Sequence, residues 1–430
     1  MRARLIAPGR GFEGVLVPPG DKSISHRAVL FALAAAGTSR IRNLSTAEDV
    51  VASLRFASAL GASVVPGEEV VIEARGLEYL TEPSSVIDVG NSGTLARLGL
   101  GLATMVPGLS VFAGDSSVSK RPMARVIEPL RRMGAVIEAR GGDRLPAAVR
   151  GSRLVGREFS LSIPSAQLKS AILLAGLGAV GRTRVTEPVL TRPHTEEFFS
   201  TCGIEFEEGF EGKQHVVEVW GGQTPRAFDL EIPGDPSAAA FFIVGSVSTP
   251  GSKVSVSGMY DGKTRGGFLE VLERMGASWD GRGASATRAL EGTEVTPAEV
   301  PSLIDELPAL SVAFAAARGR SSVSGAAELR VKESDRIAAV AEMLKNFGVE
   351  VEEHFDGFSV NGGLDSVPGS RTVDSRLDHR IAMSGAILGC IVGGETVIDG
   401  VETVATSYPS FFDDLTRLAG ASVELIQTQR

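Results

Sequence analysis

At 430 residues the chain is too long for one ordinary hydrophobic core, and its net charge of −9 argues against nucleic acid or an anionic membrane as the main partner. Cys202 and Cys390 are the only cysteines, so there is no disulfide framework, and Met1–Gly14 lacks the apolar stretch of a secretory signal. No apolar run is long enough to span a bilayer, so two domains in a cytoplasmic protein are expected.

Met1–Gly14 predicts a strand and lead-in. PGDKSISHR, Pro19–Arg27, then opens the first chemically informative element. Pro-Gly ends what precedes it, Asp21, Ser23 and Ser25 are N-cap types, and an apolar run from Ala28 predicts a helix closed by Gly37. Lys22, Ser23 and Arg27 therefore sit at a helix start, where unpaired N–H groups and the dipole favour an anion such as phosphate or carboxylate. Thr46–Asp49 reads as the cap and acidic first turn of a second helix.

DVGNSGTLARLGLGLA repeats the plan, with Asn91, Ser92 and Gly93 in a tight turn whose backbone N–H groups can approach a ligand. In SKRPM, Arg121 precedes a helix-start proline and offers a planar fork to a carboxylate or phosphate. IPSAQLKSAILLAG places Ser165 and Gln167 at a third helix start, with Lys169 one turn in as a further candidate for a phosphate. TRPHTEEFF then sets Thr191, Arg192 and His194 at another helix entrance, His194 reading as a capping or surface histidine. His215 and His354 have no evident role.

After a passage between about Glu218 and Asp235, with a crossover at Pro225 and Arg226, IPGDPSAAAFF opens a fourth element with little charge, read as structural. The fifth, PSLIDELPAL, carries Asp305 and Glu306, either dipole partners of the helix or a base facing a hydroxyl. In LRVKESDR, Lys332 and Arg336 fall at i,i+4 on one helical face with Glu333 beside them, a carboxylate expected to be ionised. The sixth, SRLDHRIAM, brings Asp378, His379 and Arg380 to a helix start, and nothing there has metal-ligand spacing.

The six starts, Gly20, Gly90, Pro164, Gly234, Asp305 and Asp378, recur about every seventy residues, as in a repeated supersecondary unit. A second series has the same period: helices ending at Gly61, Gly134, Gly203, Gly276, Gly348 and Gly420, each followed by a strand-like run. Six βαβαββ units, three in each half, account for both series.

GDKSISHR, GNSGT, KRPM, SAQLKS, DELPAL, LRVKESDR and DHRIAM span nearly the whole length, and as a set they resemble the 3-phosphoshikimate 1-carboxyvinyltransferase (5-enolpyruvylshikimate-3-phosphate synthase) family. The resemblance implies an α/β fold: a two-domain inside-out α/β barrel of six βαβαββ repeats, three per domain. The expected division is 15–228, carrying mainly shikimate-phosphate contacts, and 1–14 plus 229–430, carrying the catalytic acids and arginines for phosphoenolpyruvate. It implies transfer of the enolpyruvyl group of phosphoenolpyruvate to the 5-hydroxyl of shikimate 3-phosphate in a closed interdomain cleft, on the route to chorismate and the aromatic amino acids. It implies no cofactor, no metal, no nucleic-acid or membrane partner, and a monomer.

By the same resemblance, Asp305 is the base for the 5-hydroxyl, Glu333 the acid/base near the methylene carbon, and Lys22 a contact to both substrates. Ser23, Arg27, Ser165, Ala166 and Gln167 face shikimate 3-phosphate, Gln167 touching both ligands, with Arg192 assigned to its phosphate. Asn91, Gly93, Arg121, Arg336 and Arg380 face phosphoenolpyruvate, where Gly93 leaves room for glyphosate to compete, and Lys332 meets the ring hydroxyls. The chain departs from the pattern at Thr406, where the best-known members carry Lys, at Ala166, where many carry Ser, and in the TRPHTEE segment that holds Thr191, Arg192 and His194. Two alternatives remain: a UDP-N-acetylglucosamine enolpyruvyl transferase, which would use a loop cysteine, and a repeat scaffold without catalysis.

Overall fold

A computed structural model describes residues 1–286, 288–364 and 371–427. The chain forms two compact units, Met1–Pro19 with Pro233–Arg430, and Gly20–Ile232. Each contains three four-stranded sheets.

Six helices begin at the six motifs: Lys22–Ala34, Gly93–Ala103, Ala166–Leu177, Pro236–Ser248, Leu307–Ala316 and His379–Val392. They are apolar on all sides and nearly every residue is buried, which suits helices enclosed by protein rather than laid on a surface. Small residues let them approach closely. A Cβ at Gly101 would come 2.5 Å from the carbonyl oxygen of Ala171 on the neighbouring helix. Asp21, Ser92, Ser165, Asp235 and Asp378 cap five of the six with side-chain oxygens.

Six outer helices, Glu48–Ala59, Ala124–Arg132, His194–Thr201, Gly267–Arg274, Arg336–Asn346 and Phe411–Ala419, form the second series. Their closing glycines all have positive φ, from 63° at Gly420 to 108° at Gly134, so the chain reverses there into a strand. The sheets alternate buried and exposed residues, as in Arg2–Ala7 and Arg144–Arg150. One sheet face thus covers the helices and the other faces solvent, the inside-out arrangement of an α/β barrel.

In the second repeat the plan is unbroken. Ile87–Asp88 pairs parallel with Leu109–Ala113 across an inner helix, and Val136–Arg140 and Arg144–Arg150 close the sheet as a hairpin. The first and fourth repeats exchange their opening strands. Glu13–Leu16, just before the first inner helix, pairs with Lys253–Val256, and Asp229–Glu231, just before the fourth, pairs with Ala36–Arg42. These pairings set the unit boundaries at Pro19/Gly20 and Ile232/Pro233, four to five residues beyond the sequence-based division at 14/15 and 228/229. The amino-terminal strand Arg2–Ala7 completes the sixth sheet between Gly394–Asp399 and Ser422–Ile426.

Candidate active site

In the unit Gly20–Ile232, three inner-helix starts are cross-linked by polar side chains. Lys22 Nζ is 2.9 Å from Asp49 Oδ2, so Asp49 is an ion-pair partner and not only a first-turn acid, and the outer helix begins after Ala47 without the cap expected at Thr46. Arg27, 2% exposed, donates to Thr195 Oγ1, Ser170 Oγ and the Ser23 carbonyl. Burial and the nearby Arg192 pull its pKa down while Glu196 opposes them; it settles at about 10, so the guanidinium stays charged at neutral pH.

In the same unit, Arg121 Nη2 donates to Asn91 Oδ1 at 2.8 Å, and Asn91 Nδ2 to Asp115 Oδ2 at 2.6 Å. A Cβ on Gly93 would lie 2.8 Å from Arg97 Nη1 and 3.0 Å from Arg121 Nη1, so two guanidinium groups flank this turn. Arg97 also holds Gln167 Oε1 at 2.9 Å, while Gln167 Nε2 donates to Thr94 Oγ1 at 2.9 Å. Ser165 caps the third inner helix through Leu168 N, and Ala166 is that helix's first residue, where backbone N–H groups lack intrahelical acceptors. His26 spans Ser53 and Ser92, and burial among Lys22 and Arg27 keeps it neutral.

The other unit holds the acids. Asp305 Oδ1 lies 3.5 Å from both Lys332 Nζ and Arg336 Nη1. Glu333 pairs with Arg336 Nη2 at 2.5 Å, and Arg380 Nη1 donates to the Asp305 carbonyl at 2.7 Å. Arg336 is 1% exposed; burial opposes its charge, but Asp378, Glu333 and Asp305 outweigh burial and raise its pKa. Lys332 and Arg336 share Asp305, though not as i,i+4 neighbours on a helix. Lys332 is extended and the helix starts only at Arg336, because Asp335 caps it through Ala338 N.

Lys169 is engaged inside the protein. It is fully buried, with Nζ 2.7 Å from Glu187 Oε1 and 2.5 Å from Glu196 Oε1. Glu187, Glu196 and His215 carry the donor types of a metal site, within 4.8 Å of one another, but the Lys169 ammonium already bridges the two carboxylates. His215, without a role in the sequence, bridges Glu187 and Glu208 at 2.8 Å each. His194 is buried rather than at the surface, its Nδ1 3.2 Å from Glu197. In the fourth repeat Arg265 ties Asp235 to Ser237, and Ser237 donates to the buried Glu306, so this charge-poor helix start is held by an internal network.

Arg97, unnamed in the sequence reading, and Asp378, named there only at a helix start, both stand inside these clusters. Arg97 lies one helical turn beyond Gly93 and carried no motif signal apart from that spacing. Asp378 looked like a cap, and it is one, but it also takes Arg336 and Ser334. Thr406 donates to the Thr403 carbonyl and supplies no cation where the family pattern has Lys. Both cysteines are buried, and burial pushes each thiol up to about 12.

Residues 6–415 match the EPSP synthase (3-phosphoshikimate 1-carboxyvinyltransferase) family. A 3-phosphoshikimate 1-carboxyvinyltransferase of Anaeromyxobacter sp. (strain Fw109-5) is 46% identical over 93% of this chain and 94% of its own. One from Bacillus thuringiensis subsp. konkukian (strain 97-27) is 42% identical over 97% and 100%. The solved EPSP synthase of Acinetobacter baumannii superposes with a TM-score of 0.84 at 37% identity, covering 99% of this chain and 100% of that one. The enolpyruvyl transferase NikO of Streptomyces tendae, at 18% identity and a TM-score of 0.78 over 98% of each chain, shares the fold. Seven motifs, six repeats and a full-length match at this identity agree, and the chain belongs to the EPSP synthase family.

Proposed function

We propose that the protein transfers the enolpyruvyl group of phosphoenolpyruvate to the 5-hydroxyl of shikimate 3-phosphate and releases phosphate. The observation that carries this reading is the Asp305 carboxylate held 3.5 Å from two cations, with Glu333 on the same guanidinium. The chemistry needs a proton delivered to C3 of the enol, a bond from the 5-oxygen to C2, and then loss of a C3 proton as the C2–O bond to phosphate breaks. A base and an acid must therefore stand among charges that hold two polyanions.

In this reading Asp305 takes the 5-hydroxyl proton and Glu333 serves the methylene carbon. Asn91, Gly93, Arg121, Arg336 and Arg380 bind phosphoenolpyruvate, and Lys22 binds both substrates. Ser23, Arg27, Ser165, Ala166, Gln167 and Arg192 bind shikimate 3-phosphate, and Lys332 its ring hydroxyls. Chemically, cations at helix starts suit doubly charged phosphate oxygens, and Arg forks suit the carboxylate. The enzyme acts as a cytoplasmic monomer.

Transfer to UDP-N-acetylglucosamine is disfavoured because that chemistry asks for a reactive loop cysteine, and both thiols here are buried and held protonated. The test is phosphate release with phosphoenolpyruvate and each acceptor in turn. Release with shikimate 3-phosphate alone is expected; release with UDP-N-acetylglucosamine alone, or with neither, overturns the reading.

A further inference from the structure

Arg27 is fixed more tightly than binding an anion requires. A guanidinium has five N–H groups. Three are engaged inside the protein: Nε to Thr195 Oγ1 at 3.1 Å, Nη2 to Ser170 Oγ at 2.7 Å and Nη1 to the Ser23 carbonyl at 2.9 Å. The two hydroxyls also meet each other at 2.6 Å, and Ser170 donates its single proton to the Ala166 carbonyl at 2.7 Å. Ser170 can then only accept from Thr195, which leaves both oxygens presenting lone pairs to Arg27. The proton directions along this chain are set by the count of donors.

The pair occupies the Nε/Nη2 edge of the fork, leaving one N–H on each terminal nitrogen for a guest. The two hydroxyls come from different helices, and the residues next to them lock those helices in register. Lys169 and Glu196, neighbours of Ser170 and Thr195, form a 2.5 Å ion pair with both side chains buried. Thr195 is fully buried and Ser170 is 1% exposed, so neither reaches a ligand through solvent. A buried hydroxyl pair with every proton assigned holds one geometry, since any rotation leaves a polar group unsatisfied.

We infer that Ser170 and Thr195 are positioning residues that aim the Arg27 guanidinium at shikimate 3-phosphate. This rests on the reading of Arg27 as a contact to that substrate. Only a correctly aimed fork makes paired bonds to an oxyanion, so losing the aim weakens one substrate and spares the other.

The test is steady-state kinetics on Thr195→Val, Ser170→Ala, Thr195→Ser and Arg27→Ala, with thermal midpoints alongside. T195V and S170A should each raise KM for shikimate 3-phosphate by about tenfold to a hundredfold, leaving KM for phosphoenolpyruvate and kcat little changed. T195S, which restores the hydroxyl, should return KM to near the parent value. Equal changes in both KM values, or no rescue by T195S, would reduce the pair to helix packing and overturn the inference. If R27A leaves KM for shikimate 3-phosphate unchanged, the Arg27 assignment itself falls. If R27A raises it strongly while T195V and S170A do not, only the positioning role falls. Should T195V fail to fold, S170A carries the same comparison.

Discussion

Arg336 and Asp378 face each other through two parallel hydrogen bonds, Nε to Oδ2 at 2.8 Å and Nη2 to Oδ1 at 3.3 Å, with Arg336 1% exposed and Asp378 fully buried. One carboxylate thus caps the sixth inner helix and orients the arginine that also meets Glu333 and Asp305. Removing one partner of a buried pair strands the other's charge. Asp378→Ala should cost about 3–5 kcal/mol in urea unfolding and raise KM for phosphoenolpyruvate. A loss below about 1 kcal/mol would mean that Arg336 is held by its other partners.

Asp305 and Glu333 stand on different elements and share Arg336 as a partner. Asp305→Asn and Glu333→Gln keep shape and remove proton transfer. Each should lower kcat by roughly two to four decades with an unchanged thermal midpoint. Near-normal turnover in either variant would remove that residue's role.

Arg192 is close enough to Arg27 for its charge to lower the Arg27 pKa. Two like charges that repel each other are eased by an anion bound near them. Arg192→Ala should weaken shikimate 3-phosphate binding much more than phosphoenolpyruvate binding, measured by titration calorimetry. Equal weakening would count against placing the phosphate there.

Gly93 is bounded by the ends of two flexible arginines, Arg97 and Arg121. A methyl group there forces Arg97 Nη1 to move, since 2.8 Å is below contact distance. Glyphosate should compete with phosphoenolpyruvate in the parent enzyme. Gly93→Ala should raise its inhibition constant and, less steeply, KM for phosphoenolpyruvate. Inhibition unaffected by phosphoenolpyruvate concentration would sink this.

The buried Glu187 gives a pH signature. Burial works to raise its pKa, but hydrogen bonds from His215, Lys169 and Thr191 and the Lys169 charge lower it to about 2 from 4.5. A depressed carboxyl stabilises the fold above its unfolded pKa, and that contribution is lost as pH falls from 4.5 through about 2. Glu187→Gln should lower the urea midpoint at pH 6 and lose less further stability between pH 5 and 3 than the parent does. Parallel pH profiles would mean that Glu187 contributes no linkage.

The sequence by itself determined the repeat and the chemistry at its helix starts. Capping residues, small apolar runs and chain-reversing glycines act over a few neighbours, so Asp21, Ser92, Ser165, Asp235 and Asp378 cap where their spacing says they should. Tertiary structure alone decided which charges are spent inside the protein. Lys169 and Arg27 look alike in their motifs. Only the fold brings Glu187 and Glu196 to the ammonium of one, and leaves two N–H groups on the guanidinium of the other. The swapped strands Glu13–Leu16 and Asp229–Glu231 were equally illegible, because strand pairing joins residues hundreds of positions apart and no local preference names the partner.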